Sequence, residues 1–117
     1  MRYFDPLGLT RLPYARNPRE WRIWFGSLAR IGDALRYIDL PPEHPARDHW
    51  NRMMTRILEF WLEEVGKLAN SLETALEAVP EPYRDEERRR MEGELTELLD
   101  MGRDWSRKLG IEAPYYR

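Results

Sequence analysis

Three stretches of the chain carry apolar residues at the three- and four-residue spacing of an amphipathic α-helix. The first stretch begins after Asn17, a capping residue, and Pro18, which suits the first helical position. It stops before the Pro41–Pro42 pair, since a residue preceding proline disfavours helical backbone. Its apolar positions are Trp21, Trp24, Leu28, Ile31, Leu35 and Ile38. The pattern predicts a first helix over residues 18–38.

The second stretch is the longest and predicts one continuous helix over residues 45–79, stopped by Pro80. Its apolar positions recur at gaps of four and three: Trp50, Met54, Ile57, Trp61, Val65, Leu68, Leu72, Leu76 and Val79. Between Trp50 and Leu62 the apolar arc widens to roughly 200°, and after Val65 it narrows. A wide arc indicates neighbours on two sides, so we expect a further helix to pack over residues 50–65.

The third stretch predicts a helix over residues 83–109, ended by Gly110 in the left-handed conformation common at helix C-termini. Its stripe is Met91, Leu95, Leu98, Gly102, Trp105 and Leu109. The connection Pro80-Glu81-Pro82 is so short that the second and third helices must lie antiparallel. The pattern as a whole predicts an all-α three-helix bundle built on a long antiparallel helical hairpin.

Helix lengths suggest that this bundle is asymmetric. The first helix turns back at Pro41–Pro42, so we expect it to lie over residues 45–66 of the second. The other half of the hairpin, residues 66–95, would then project as a two-helix arm with an apolar seam that includes Leu72 and Leu76. An exposed apolar seam is typical of a surface that docks on a partner.

The segments outside the helical domain (residues 17–110) are short but apolar. Residues 1–16 are predicted to form an extended arm, because Pro6, Gly8 and Pro13 interrupt any helix. Residues 111–117 are predicted to form a tail. Candidate partner-binding side chains in the two segments are Tyr3, Phe4, Leu7, Leu9, Leu12, Tyr14, Tyr115 and Tyr116. Packing of the arm on its own bundle and packing on another subunit are both consistent with this pattern.

Composition places the chain among globular proteins. Its 117 residues, 42% hydrophobic and 34% charged, suit one domain with a single core. No apolar run approaches the roughly 20 residues of a membrane span, and Asp5 and Pro6 interrupt any secretory segment, so we expect a cytoplasmic protein. The lack of cysteine excludes disulfides, thiol chemistry and cysteine metal sites.

Residues suited to catalysis are scarce. The two histidines, His44 and His49, are five apart, off the four-residue spacing that places two ligands on one helix face. His44, which precedes a proline, is expected to cap the second helix. No Glu-x-x-His motif, nucleophile elbow or glycine-rich phosphate loop occurs. We therefore expect a protein that is not an enzyme and that uses no cofactor or metal.

Charge distribution suggests an alternative function. Residues 1–42 carry seven arginines and four carboxylates, a net +3, whereas residues 43–117 carry a net −5. Arginines near aromatic residues can bind nucleic acid, and the candidates are Arg11, Arg16, Arg19, Arg22, Arg30 and Arg36. The overall charge of −2 and the pI near 5.8 disfavour this alternative. An apolar-ligand carrier using residues 50–65 is a third, weaker alternative.

The leading hypothesis is a non-catalytic protein–protein interaction module. The chain carries more apolar surface than its helices can cover, and much of it lies in the flanking segments. Such a chain would serve as an accessory or structural subunit of a larger assembly, or as part of a homo-oligomer.

Overall fold

The computed structural model describes residues 15–110, and this part of the chain is a helical bundle without strands. Its helices are α1 (Pro18–Leu35), α2 (Arg47–Asn70), α3 (Leu72–Leu76) and α4 (Glu81–Leu109). The predicted all-α bundle is therefore confirmed. Residues 1–14 of the predicted N-terminal arm and the predicted tail at 111–117 lie outside the described residues.

The start of α1 follows the local sequence signal. The side-chain oxygen of Asn17 accepts a hydrogen bond from the Glu20 N–H at 2.9 Å, and the Glu20 carboxylate accepts one from the Arg16 N–H at 2.9 Å. Two backbone donors at the helix start are thereby satisfied. The helix ends at Leu35, three residues before the predicted end. The N–H of Ile38 instead bonds the carbonyl of Leu35 at 3.1 Å, a turn with three-residue spacing.

The predicted continuous helix over residues 45–79 is wrong. The helix begins at Arg47 and is interrupted at Ser71, which separates α2 from α3. The Ser71 hydroxyl donates to the Lys67 carbonyl at 2.9 Å, and the Trp21 indole N–H donates to the Leu68 carbonyl at 2.9 Å. Both carbonyls belong to the last turn of α2. Side-chain donors that bond helix carbonyls bend the backbone at that position.

Contacts at both ends show that α2 and α3 run antiparallel to α4. Arg47 at the start of α2 donates to the carbonyl of Lys108 at 3.2 Å, near the end of α4. Glu73 on α3 pairs with Arg88, near the start of α4, at 2.7 Å. Gly110 ends α4 with a φ of 72°, the left-handed C-terminal residue expected from the sequence.

The predicted position of the first helix is wrong. The Trp61 indole N–H donates to the Leu28 carbonyl at 3.0 Å, and Trp21 reaches Leu68, so α1 covers the second half of α2 together with α3. Leu72 and Leu76 are consequently buried, and no open two-helix arm exists at residues 66–95. The eleven-residue connection 36–46 makes this possible, since it separates the end of α1 from the start of α2.

Three fully buried tryptophans, Trp21, Trp61 and Trp105, form the centre of the core. The rings of Trp61 and Trp105 meet edge to face, with centroids 5.9 Å apart and planes at 64°. Trp50 and Ile57, which lie in the stretch expected to be covered, are only partly buried. The core therefore lies one to two helical turns further along α2 than the apolar arc predicted.

Two basic side chains fasten the connection between α1 and α2 to the end of α4. The Lys108 ammonium donates to the carbonyls of Arg36 and Ile38, the second at 3.2 Å. The Arg47 guanidinium donates to the Leu40 carbonyl and lies 4.7 Å from the centroid of the Trp50 ring. These two side chains supply hydrogen-bond donors to backbone carbonyl groups at and just after the end of α1, where the helix itself supplies none.

Candidate contact surface on helix α2

Leu72 and Leu76 were predicted to line an exposed seam, and the structure corrects this. Their side chains are buried in the core, at 6% and 0% exposure. The other predicted partner-binding residues lie outside the described part of the chain: Tyr3, Phe4, Leu7, Leu9, Leu12, Tyr14, Tyr115 and Tyr116. Leu72 and Leu76 therefore do not form an exposed contact surface in the described bundle.

Three of the six arginines of the nucleic-acid alternative are paired with carboxylates in the bundle. Arg22 bonds Glu94 at 3.1 Å and also pairs with Glu87, and hydrogen bonding to Glu94 raises the pKa of the Arg22 guanidinium. Arg36 pairs with Asp33 at 3.3 Å and with Asp104. Arg16 pairs with Glu20 at 3.0 Å. Arg19 and Arg30 are exposed, and Arg11 lies outside the described residues.

Charged residues on α4 are mostly paired along the helix itself. Its paired arginines are Arg84, Arg88, Arg90, Arg103 and Arg107, each within 4 Å of a carboxylate three or four residues before it. Pairs at this spacing stabilise a solvated helix surface only slightly, because both charges stay hydrated. The charges on one face of α2 do not follow this pattern of pairing.

Four charged residues on the outer face of α2 are exposed and form no ion pair within residues 15–110: Arg52, Arg56, Glu59 and Glu63. Their spacing of four, three and four places them on one stripe of the helix, opposite the buried side chains of Leu58 and Trp61. The two positive charges precede the two negative charges. The stripe is therefore divided by sign into a basic half and an acidic half.

An apolar side chain borders this stripe on one flank, since Met53 is 46% exposed. The stripe and Met53 together are called the α2 face below. An open concavity of about 660 Å³ covers part of it, lined by His49, Asn51, Arg52, Met53, Thr55, Arg56, Glu59 and Leu109.

The concavity is not suited to an enclosed apolar ligand. Its lining residues on α2 surround the exposed half of the helix, so they form an open surface and not a chamber. The inward side chains of this region, such as Met54 and Leu58, are packed into the core. The arrangement fits contact with another surface better than enclosure of a small molecule.

The described residues show little that suits metal binding. His44 accepts a hydrogen bond from the Ala46 N–H at 3.0 Å, but the N-cap of α2 is Ala46, so the expected cap role of His44 is wrong. His49 lies on the concavity. No cluster of three histidine, aspartate or glutamate side chains with metal-binding geometry occurs among residues 15–110. No helix in this range is long and apolar enough to cross a membrane.

The ion pair between Glu73 and Arg88 gives the bundle a testable pH dependence. Hydrogen bonding to Arg88 lowers the pKa of Glu73 below its ordinary value of 4.5. The pair therefore stabilises the fold above pH 4.5, and this contribution is lost as the pH falls through the folded-state pKa. Urea unfolding at several pH values should show wild type more stable than Glu73→Gln at pH 6, with the difference shrinking towards pH 3. A difference that stays constant over this range would contradict the assignment.

The charges of the α2 face were not among the sequence-predicted contacts, because those predictions rested on apolar positions and on the arginines of residues 1–42. A signal was present, since the charges of Arg52, Arg56, Glu59 and Glu63 are symmetric in position and opposite in sign about the midpoint between residues 57 and 58. The sequence alone does not show whether such charges pair within the chain. Comparisons with protein families, with curated proteins and with solved structures found no match to this chain.

Proposed function

We propose that this chain is a non-catalytic protein–protein interaction module, an accessory or structural subunit that binds its partner through the α2 face. The observation that carries the proposal is the stripe of four exposed charges without ion pairs inside residues 15–110, bordered by the exposed Met53. Elsewhere on the bundle most arginines are already paired with carboxylates.

The two components of the α2 face have different roles in binding. Apolar contact at Met53 supplies affinity, and methionine is enriched at protein interfaces because its flexible side chain adapts to a partner. The charged stripe supplies orientation and register, since complementary charges steer association and penalise misaligned contacts. A helix held by a packed core presents both in a fixed arrangement.

A protein partner fits this face better than nucleic acid. Glu59 and Glu63 lie beside the two arginines, and their carboxylates repel phosphate groups. Arg22 and Arg36, which the nucleic-acid alternative requires, are bonded to carboxylates of α4. A surface with equal numbers of both signs is suited to another surface of mixed charge.

Site-specific photo-crosslinking tests the proposal. A photoreactive amino acid replaces Met53 in the full chain, which is produced in the source cells, and a second chain carries the same group at Thr96, exposed on α4. We expect a protein adduct from position 53 that disappears when Arg52 and Glu63 are both changed to alanine. The probe at Thr96 is the control for random encounters. Equal adducts from positions 53 and 96, or none from 53, would refute the assigned surface.

A further inference from the structure

We infer that the partner of the α2 face is a second copy of this chain, with the two α2 helices packed antiparallel about a two-fold axis. This inference rests on the proposed function, because it takes the α2 face to be the contact surface. Two features support it: the register of the charges and the repulsion in the other orientation.

The register of the charges is symmetric. In a two-fold antiparallel pair, each residue faces the residue at the same distance beyond the centre of the helix. Arg52 and Glu63 are equidistant from the midpoint between residues 57 and 58, and so are Arg56 and Glu59. A two-fold axis at this midpoint therefore places Arg52 opposite Glu63 of the second copy. It also brings Arg56 and Glu59 of both copies together near the axis.

The parallel orientation is disfavoured by charge. Two parallel α2 helices in equal register would place Arg52 beside Arg52 and Glu63 beside Glu63, and like charges at such positions repel. Within residues 15–110 the antiparallel orientation is accessible, because α1, α3 and α4 pack on the inner side of α2. A single-helix contact falls at the small end of specific interfaces, so we expect a dissociation constant on the order of micromolar.

Charge reversal with complementation tests the inference. Sedimentation of the full chain should show a 14.1 kDa monomer that dimerises as concentration rises. Arg52→Glu and Glu63→Arg should each weaken dimerisation at least about tenfold, because each creates two like-charge contacts. An equimolar mixture of the two variants should form a heterodimer with approximately wild-type affinity, since every contact again joins opposite charges. Glu97→Arg, an exposed change on α4, should have no effect.

The outcomes separate the two proposals. A wild-type chain that stays monomeric at hundreds of micromolar, or a mixture that fails to form the heterodimer, overturns the second copy as partner. If position 53 still gives a variant-sensitive adduct with a different protein, the proposed function survives and only the homodimer fails. If both single variants dimerise like wild type, the α2 face is not the dimer contact and the inference is wrong.

Discussion

Replacing Trp61 with alanine is expected to lower the free energy of unfolding by about 3–5 kcal/mol, a large share of the total stability of a small domain. The indole is fully buried and contacts the Trp105 ring edge to face. Its N–H also satisfies the Leu28 carbonyl, so truncation leaves both a cavity and an unbonded backbone acceptor between α1 and α2. Chemical denaturation followed by circular dichroism measures the loss.

Trp50→Ala is the matched control for this prediction. Trp50 lies on the same helix and undergoes the same change, but it is only partly buried beyond the end of α1. We expect its loss to be less than half that of Trp61→Ala, because less apolar surface is removed from the interior. Equal losses for the two variants would mean that the core is centred nearer residue 50, as the apolar arc alone suggested.

Changing Gly32 to alanine is expected to destabilise the fold by about 1–3 kcal/mol. A methyl group at this position would lie 2.7 Å from Cζ2 of Trp61 and 3.0 Å from Sδ of Met101. Met101 can move, but the Trp61 ring cannot, since its hydrogen bond and its contact with Trp105 hold it. The clash therefore outweighs the helix propensity gained, which is about 1 kcal/mol.

Gly26→Ala in the same helix should change the free energy of unfolding in the opposite direction. No atom outside the local helix lies within 4 Å of the position its methyl group would take, among the residues that the structure describes. We expect the free energy of unfolding to rise by up to about 1 kcal/mol, because alanine favours helix over glycine. Thermal unfolding of both variants compares them directly. Stabilisation by both substitutions would show that α1 and α2 do not approach closely at Gly32.

The same core gives the α2 face its rigidity. The helix that presents Arg52 and Glu63 outward presents Leu58 and Trp61 inward, where both are fully or almost fully buried. A helix held in this way loses little conformational freedom on binding, and preorganised contacts bind more tightly. The proposed function and the packing of the core are therefore linked through one helix.

Local signals in the sequence were sufficient to predict the helical stretches and two of the helix ends. Asn17 caps α1 and Gly110 ends α4, because both effects depend only on residues within one helical turn. The antiparallel relation of α2 and α4 also followed from a short connection. These features need no knowledge of distant parts of the chain.

The break at Ser71 and the placement of α1 could not be predicted in this way. The carbonyl of Leu68 at the break accepts from Trp21, which is 47 residues away in sequence. The apolar arc between Trp50 and Leu62 included Met53, which is exposed on the outer side of α2. Arc width therefore overestimated the covered surface and placed the first helix too near residue 50.

The sequence by itself determined the three helical stretches, their polarity along the hairpin and the order of charges on α2. The tertiary structure alone decided which of those charges remain available. Arg22 and Arg36 are bonded because α1 lies against α4, whereas Arg52 and Glu63 face outward with no helix of residues 15–110 opposite them. Ion pairs between helices depend on which faces meet, and that choice is made by the packing of side chains such as Trp21 and Trp61 over the whole bundle.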